Sequence, residues 1–397
     1  MPGAGTRPDL ELQLQEAEAD VFDQGPRKIA WLEWIIGQAD ESSAMGAGTL
    51  ALRARLQLIW VYLNPYPYSY PLADKENQLL TTFDWCLATW QRDRQRFRES
   101  DIRLLQGYFP DIVKLGLQYP SVTLARLTAI LDDMQWYYSE VADLGAPRAG
   151  RRNTDVPRAV HACRNALAAH IGDLGAAEWQ YQQWAAAPAD DRCLACDLAA
   201  RVAWLVTSGQ DAEAVMLAEP VLAGQLGCDH APEQQPEWLL AKLMLPLARL
   251  GQLRKATNAQ QCSYLRHSGE YGDAGAHLYL ADHFEYLAMT NGEQLGLELL
   301  QRHIGAFDLP VDPYSLLRLV TTGAALAGRL ASGNSGGQVL SRPPAGHRPP
   351  GQIGLPDLAN ELRITAQELA ARFDARNGTN YQSARVRAAL AFDPVAR

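Results

Sequence analysis

Four times between residues 160 and 305 the chain repeats one short pattern: an apolar helical run, a glycine or asparagine, then a small residue five positions on. The instances are His170-Ile171-Gly172-Asp173-Leu174-Gly175-Ala176-Ala177, Ser208-Gly209-Gln210-Asp211-Ala212-Glu213-Ala214, Leu250-Gly251-Gln252-Leu253-Arg254-Lys255-Ala256 and, more loosely, Thr290-Asn291-Gly292-Glu293-Gln294-Leu295-Gly296. From Gly172 through Gly209 and Gly251 to Asn291 the steps are 37, 42 and 40 residues. A glycine at such a point ends one helix in the left-handed conformation. The small residue five later lets the returning helix lie close to the first. A single helix pair cannot bury its own apolar face, so neighbouring pairs must stack.

This grammar resembles degenerate tetratricopeptide repeats. Pro188 falls close to where that family places its closing proline. The steps are longer than the family period, and no unit carries the full Trp-Leu-Gly-Tyr signature. The resemblance covers about 160–305 and extends in weaker form over 27–142. The chain is also similar to a group of repeat proteins common in GC-rich actinobacteria, through Leu131-Asp132-Asp133-Met134, Cys193-Leu194-Ala195-Cys196-Asp197 and Ala371-Arg372-Phe373-Asp374-Ala375-Arg376-Asn377-Gly378-Thr379. That likeness implies no particular activity. The expected fold is all-α, a right-handed superhelix of antiparallel helix hairpins forming a TPR-like α-solenoid, with almost no strand.

The organisation expected is a helical, aromatic-rich region over 1–150, repeats over 151–330, a linker over 331–356 and capping helices over 357–397. Apolar residues at helical spacing predict helices over 27–39 and 47–63, and the prolines Pro65, Pro67 and Pro71 stop the second. Residues 331–356 hold eleven Gly or Pro, which predicts a surface-exposed, partly extended segment. Asp357 reads as the cap of a helix running to about Phe373, closed by Asn377-Gly378. Its apolar stripe of Leu358, Leu362, Leu369 and Phe373 is expected to pack back on the repeats.

A net charge of −9 argues against nucleic acid or an anionic membrane as partner of the whole molecule. No apolar run is long enough for a membrane span, and Met1-Pro2-Gly3-Ala4-Gly5 lacks the opening of a secretory signal, so the expected compartment is the cytoplasm. No nucleophile elbow, phosphate loop or dinucleotide fingerprint is present. The acidic pair Asp132-Asp133 lacks a second metal motif, and His277 and His283 stand six apart, about 120° around a helix. The sharpest chemical signal is Cys193-x-x-Cys196. A helix hairpin brings the start of its first helix beside the end of its second, so Cys228 should join them, with His230 in reach as a fourth ligand. Three thiolates and an imidazole suit a structural zinc; Asp229, His161 or water are alternative fourth ligands. Reduced, partly buried thiols are the competing reading.

For partner binding, Tyr66, Tyr68 and Tyr70 alternate with prolines in a stiff loop that presents rings at low entropy cost. Arg201 and Trp204 are expected to face the groove from the first helix of the second repeat, with helical period leaving Trp204 the choice of groove or core. The functional expectation is a non-enzymatic protein that binds a peptide or protein partner in a concave groove. Two alternatives stay open: a ligand- or peptide-responsive regulator acting through a partner, and an all-helical enzyme or enzyme subunit in peptide or isoprenoid modification.

Overall fold

The computed structural model describes residues 9–20, 25–64, 74–144, 156–189, 193–228, 235–270, 277–290, 292–309, 311–346 and 348–391. Among them are seventeen α-helices and one short two-stranded sheet. No described helix is long and apolar enough to cross a membrane. The chain divides into two units, residues 1–160 and 161–397, so the three parts expected after residue 150 share one body.

The first unit holds α1 (Leu10–Ala19), α2 (Pro26–Asp40), α3 (Ala47–Leu63), α4 (Lys75–Arg92), α5 (Glu99–Gln118) and α6 (Leu124–Leu144). α3 touches α1, α2, α4 and α5. Its sequence explains that centrality, because buried residues from Leu50 to Tyr62 leave only a narrow polar edge. An aromatic cluster fills the space beyond it. Trp90 meets Phe97 edge-on at 5.2 Å and Tyr137 at 5.1 Å, and Phe109 meets Phe83 at 4.9 Å. The Tyr108 hydroxyl donates to the Leu56 carbonyl at 3.1 Å, so this buried ring keeps its polar atom satisfied.

The second unit runs through α7 (Arg158–Ile171), α8 (Leu174–Ala186), α9 (Leu194–Thr207), α10 (Asp211–Leu222), α11 (Glu237–Arg249), α12 (Leu253–Glu270), α13 (His277–Met289), α14 (Glu293–His303), α15 (Pro313–Ser332), the strands β1 (Val339–Arg342) and β2 (Gly351–Gly354), α16 (Leu355–Asn377) and α17 (Tyr381–Leu390). Its turns have the expected physics. Gly172, Gly209 and Gly251 take φ of +89°, +78° and +73°. In each turn the next amide reaches back to a carbonyl five residues earlier: Asp173 to Ala168, Gln210 to Leu205 and Gln252 to Leu247, at 2.8–2.9 Å. The small residues Ala177, Ala214 and Ala256 are fully buried where the returning helices pack.

The odd-numbered helices form a row. α9 touches α11, α11 touches α13, and α13 touches α15, while α10, α12 and α14 each pair with a row member. The tail does pack on this body, with α16 lying along α15. It begins at Leu355, earlier than expected, with Gly354 at the N-cap and Pro356 in the first turn, so Asp357 is not the cap. Asp374 caps the next helix instead, accepting from the Gln382 and Ser383 amides at 2.9 and 3.0 Å. The Gln382 side chain then donates to the His170 carbonyl at 2.7 Å, which ties the last helix to the end of α7.

The Gly/Pro-rich segment, expected as an extended linker, contains an antiparallel hairpin with Val339 opposite Gly354 and Arg342 opposite Gly351. Arg342 reaches Glu361 at 2.7 Å and Asp308 at 3.2 Å, and Arg348 also pairs with Asp308. Prolines and glycines bound the short strands without entering their paired centres, and the charge network holds the hairpin on the helices.

Candidate metal centre and polar inner strip

Cys193 is the N-cap of α9, and Cys196 sits in its first turn. α10 ends at Leu222, where Gly224 at φ +67° turns the chain and the Gln225 and Leu226 amides fold back onto the Pro220 carbonyl. The turn carries Cys228 back to the start of α9. Cys228 Sγ lies 3.9 Å from Cys193 Sγ and 3.5 Å from Cys196 Sγ, and all three sulfurs fall within 4.8 Å of one another. Tetrahedral coordination with metal–sulfur bonds near 2.3 Å requires sulfur separations of about 3.8 Å. The trio therefore can hold a metal ion. Partial burial first, then hydrogen bonds with Cys228 and Cys193, push the Cys196 thiol well above its usual value. A metal entering here must displace protons, so its affinity rises with pH. No fourth His, Cys, Asp or Glu among the described residues joins the group. His161 has its Nδ1 2.8 Å from Gln180 Oε1. His230 and Asp229 lie outside the described residues, as do Tyr66, Tyr68 and Tyr70.

Of the two groove candidates, the structure separates Arg201 from Trp204. Trp204 is 4% exposed, and its indole N–H donates to Glu178 at 3.3 Å, so it is a core residue. The expectation that it faces a groove is corrected: periodicity gave it the choice of two faces, and the large ring took the apolar one. Arg201 is half-buried, with its guanidinium 5.7 Å from the centre of the Tyr181 ring.

Repeating the step from Arg201 leads to residues that sequence reasoning missed. Lys242, Asp282 and Arg318 follow at 41, 40 and 36 residues, each the sixth residue of its helix in the row. Lys242 Nζ lies 2.7 Å from Asp282 Oδ2, and Arg318 lies 2.8 Å from Asp282 Oδ1. Burial pushes the Asp282 carboxyl up, but Lys242 and Arg318 outweigh it and hold it at about 2. Burial and Arg318 pull Lys242 below the usual ammonium value despite Asp282. Beyond this triad Arg385 of α17 donates to the Tyr314 hydroxyl at 3.2 Å. The setting of α13 is informative. From Tyr279 to Met289 every residue is buried except Asp282 and Glu285, which stand one turn apart. The helix is thus packed on its other sides and keeps a partly open acidic strip along one. Steps of about 40 residues onward from Arg201 would have pointed to this strip.

The fold and these sites define an all-helical protein with a row of packed hairpins and a three-cysteine cluster able to take a metal. No family model matches the chain, and no curated protein matches it.

Proposed function

We propose that this chain is a non-enzymatic, TPR-like interaction protein that holds a peptide or protein partner along the polar strip of its second unit. The observation that carries this reading is the alignment of Lys242, Asp282 and Arg318 at one position of three successive row helices. Such a strip offers a partner hydrogen bonds and charge at helix-to-helix spacing, and it needs no catalytic group. The cysteine trio is read as a structural zinc site that pins the end of α10 to the start of α9. That role accords with six cysteines kept reduced in a cytoplasmic setting. Selection of a random peptide library against the full chain tests the reading. The expected result is an enriched motif whose binding weakens at least about tenfold on Arg385→Ala, the loss typical of a contact residue worth ~1.4 kcal/mol. A library that enriches nothing, or peptides indifferent to that change, overturns it.

A further inference from the structure

The ionic groups on the strip do not balance. Lys242, Arg318 and Arg385 bring three cations, and Asp282 and Glu285 bring two carboxylates. Asp282 is shared between Lys242 and Arg318. Arg385 is exposed and makes no ion pair among the described residues; its one described hydrogen bond goes to the Tyr314 hydroxyl. Lys242 and Arg318 keep 32% and 33% of their side-chain surface, so a ligand can reach them. Tyr314 and Arg318 stand one turn apart on α15, and both Arg385 and Arg318 act on the same phenol.

Two buried groups report the field these cations create. Burial pushes the Tyr314 phenol up, yet Arg385, Arg318 and Lys242 overcome it and hold the group below its usual value. His170 packs its ring 4.7 Å from Tyr314 and 5.4 Å from Phe373. Burial, then Arg376 and Arg385, hold its imidazole neutral down to about 3. Its Nε2 is buried without a hydrogen-bond partner, in a residue only 6% exposed.

We propose that the strip receives one side-chain carboxylate of an acidic peptide segment, seated between Arg318 and Arg385 beside the Tyr314 hydroxyl. One carboxylate makes the count of three cations and three anions. It also gives Arg385 the bidentate partner its planar fork suits. The choice of an acidic partner follows from charge complementarity: this locally positive strip belongs to a chain of net charge −9, so an acidic segment is repelled elsewhere on the surface and attracted here. The inference rests on the peptide-binding reading and names the chemistry of its ligand.

A fluorescein-labelled, glutamate-rich decapeptide and its glutamine counterpart, titrated by anisotropy into the full chain, test it. The glutamate peptide should bind at least about tenfold more tightly, as expected for a contact worth ~1.4 kcal/mol. Arg385→Glu should remove that advantage and Arg385→Lys should restore part of it. Arg385 is exposed, so both variants should keep the wild-type circular dichroism and melting curve. Equal binding of the two peptides, no binding of either, or an advantage that survives Arg385→Glu overturns the proposal. So does a single-stranded oligonucleotide of equal charge that binds as tightly. If the random library enriches neutral or basic peptides whose binding still weakens on Arg385→Ala, the peptide-binding reading stands and this inference alone fails.

Discussion

The two units solve the same problem of ionic side chains in opposite ways. In residues 1–160 no carboxylate serves two cations among the described ion pairs: Arg53 has both Glu11 and Glu18, Arg55 has Asp40, Arg94 has Glu140 and Arg126 has Asp84. In residues 161–397 two carboxylates are each shared by two cations, Asp282 by Lys242 and Arg318, and Asp308 by Arg342 and Arg348. The first unit's pairs are complete and act as staples around an aromatic core. At the hairpin Glu361 completes the count for Arg342 and Arg348, so the shortage of carboxylates is confined to the strip of Lys242, Arg318 and Arg385, at side chains that keep part of their surface in solvent. Charge surplus at partly exposed positions is where a helical body has room for a partner.

The largest test of this contrast concerns the thiols. Cys86 of the first unit is fully buried, and burial holds its thiol at about 12, an inert setting. The second unit's trio should carry about one zinc per chain, as structural sites do. Metal analysis of protein purified without chelator should detect it. Cys193→Ser should release it and cost several kcal/mol of stability, whereas Cys86→Ser should leave the metal content unchanged. Stability of the chelated protein equal to that of the untreated one would remove the structural role.

Next comes the shared carboxylate. Asp282→Ala leaves two cations facing each other without their anion and should cost about 3 kcal/mol in urea unfolding. Asp84→Ala in the first unit removes a pair whose carboxylate is half exposed and should cost less than ~1 kcal/mol. Equal costs would erase the distinction between the units.

Backbone turns sharpen it further. A Cβ on Gly172 would fall inside the Tyr381 ring, on top of the strain of φ +89°. Gly209 has φ +78° but open space around it. Gly172→Ala should therefore destabilise by about 2–3 kcal/mol and Gly209→Ala by about 1 kcal/mol, measured by thermal melting. A smaller loss at Gly172 would argue that α17 does not seat on the α7–α8 turn.

The smallest effect per step is the pH response of His170. Its folded value near 3 lies below the ordinary 6.5, so the unfolded chain takes up a proton that the folded chain refuses. The stability is whole above pH 6.5 and falls as pH drops, by about 1.4 kcal/mol per unit. His170→Gln should flatten urea midpoints measured between pH 7 and 5, if the imidazole is responsible.

Much of this was legible in the chain. The span of α3 follows from its apolar spacing, and three glycines at about 40-residue steps located the hairpin turns. The convergence of Cys193, Cys196 and Cys228 followed from topology, since the ends of a hairpin must meet. Trp204 was ambiguous because helical period assigns a face without saying whether core or solvent lies there. The hairpin over Val339–Gly354 was hidden by glycine and proline density and by strands only four residues long. Its anchor, Arg342 with Asp308 and Glu361, is a pairing across dozens of residues that no local pattern announces.

The sequence by itself determined the helices, their turns and the close packing of each pair. Helix period, left-handed glycines and small contact residues are local properties, and each needs only its neighbours along the chain. Tertiary structure decided which polar residues share a site. Asp282 becomes a shared anion only when α11, α13 and α15 stand side by side, and Arg385 reaches Tyr314 only because Asp374 and Gln382 set α17 against the end of α7. Electrostatic interaction depends on distance through space, and folding alone converts steps of about 40 residues into separations under 3 Å.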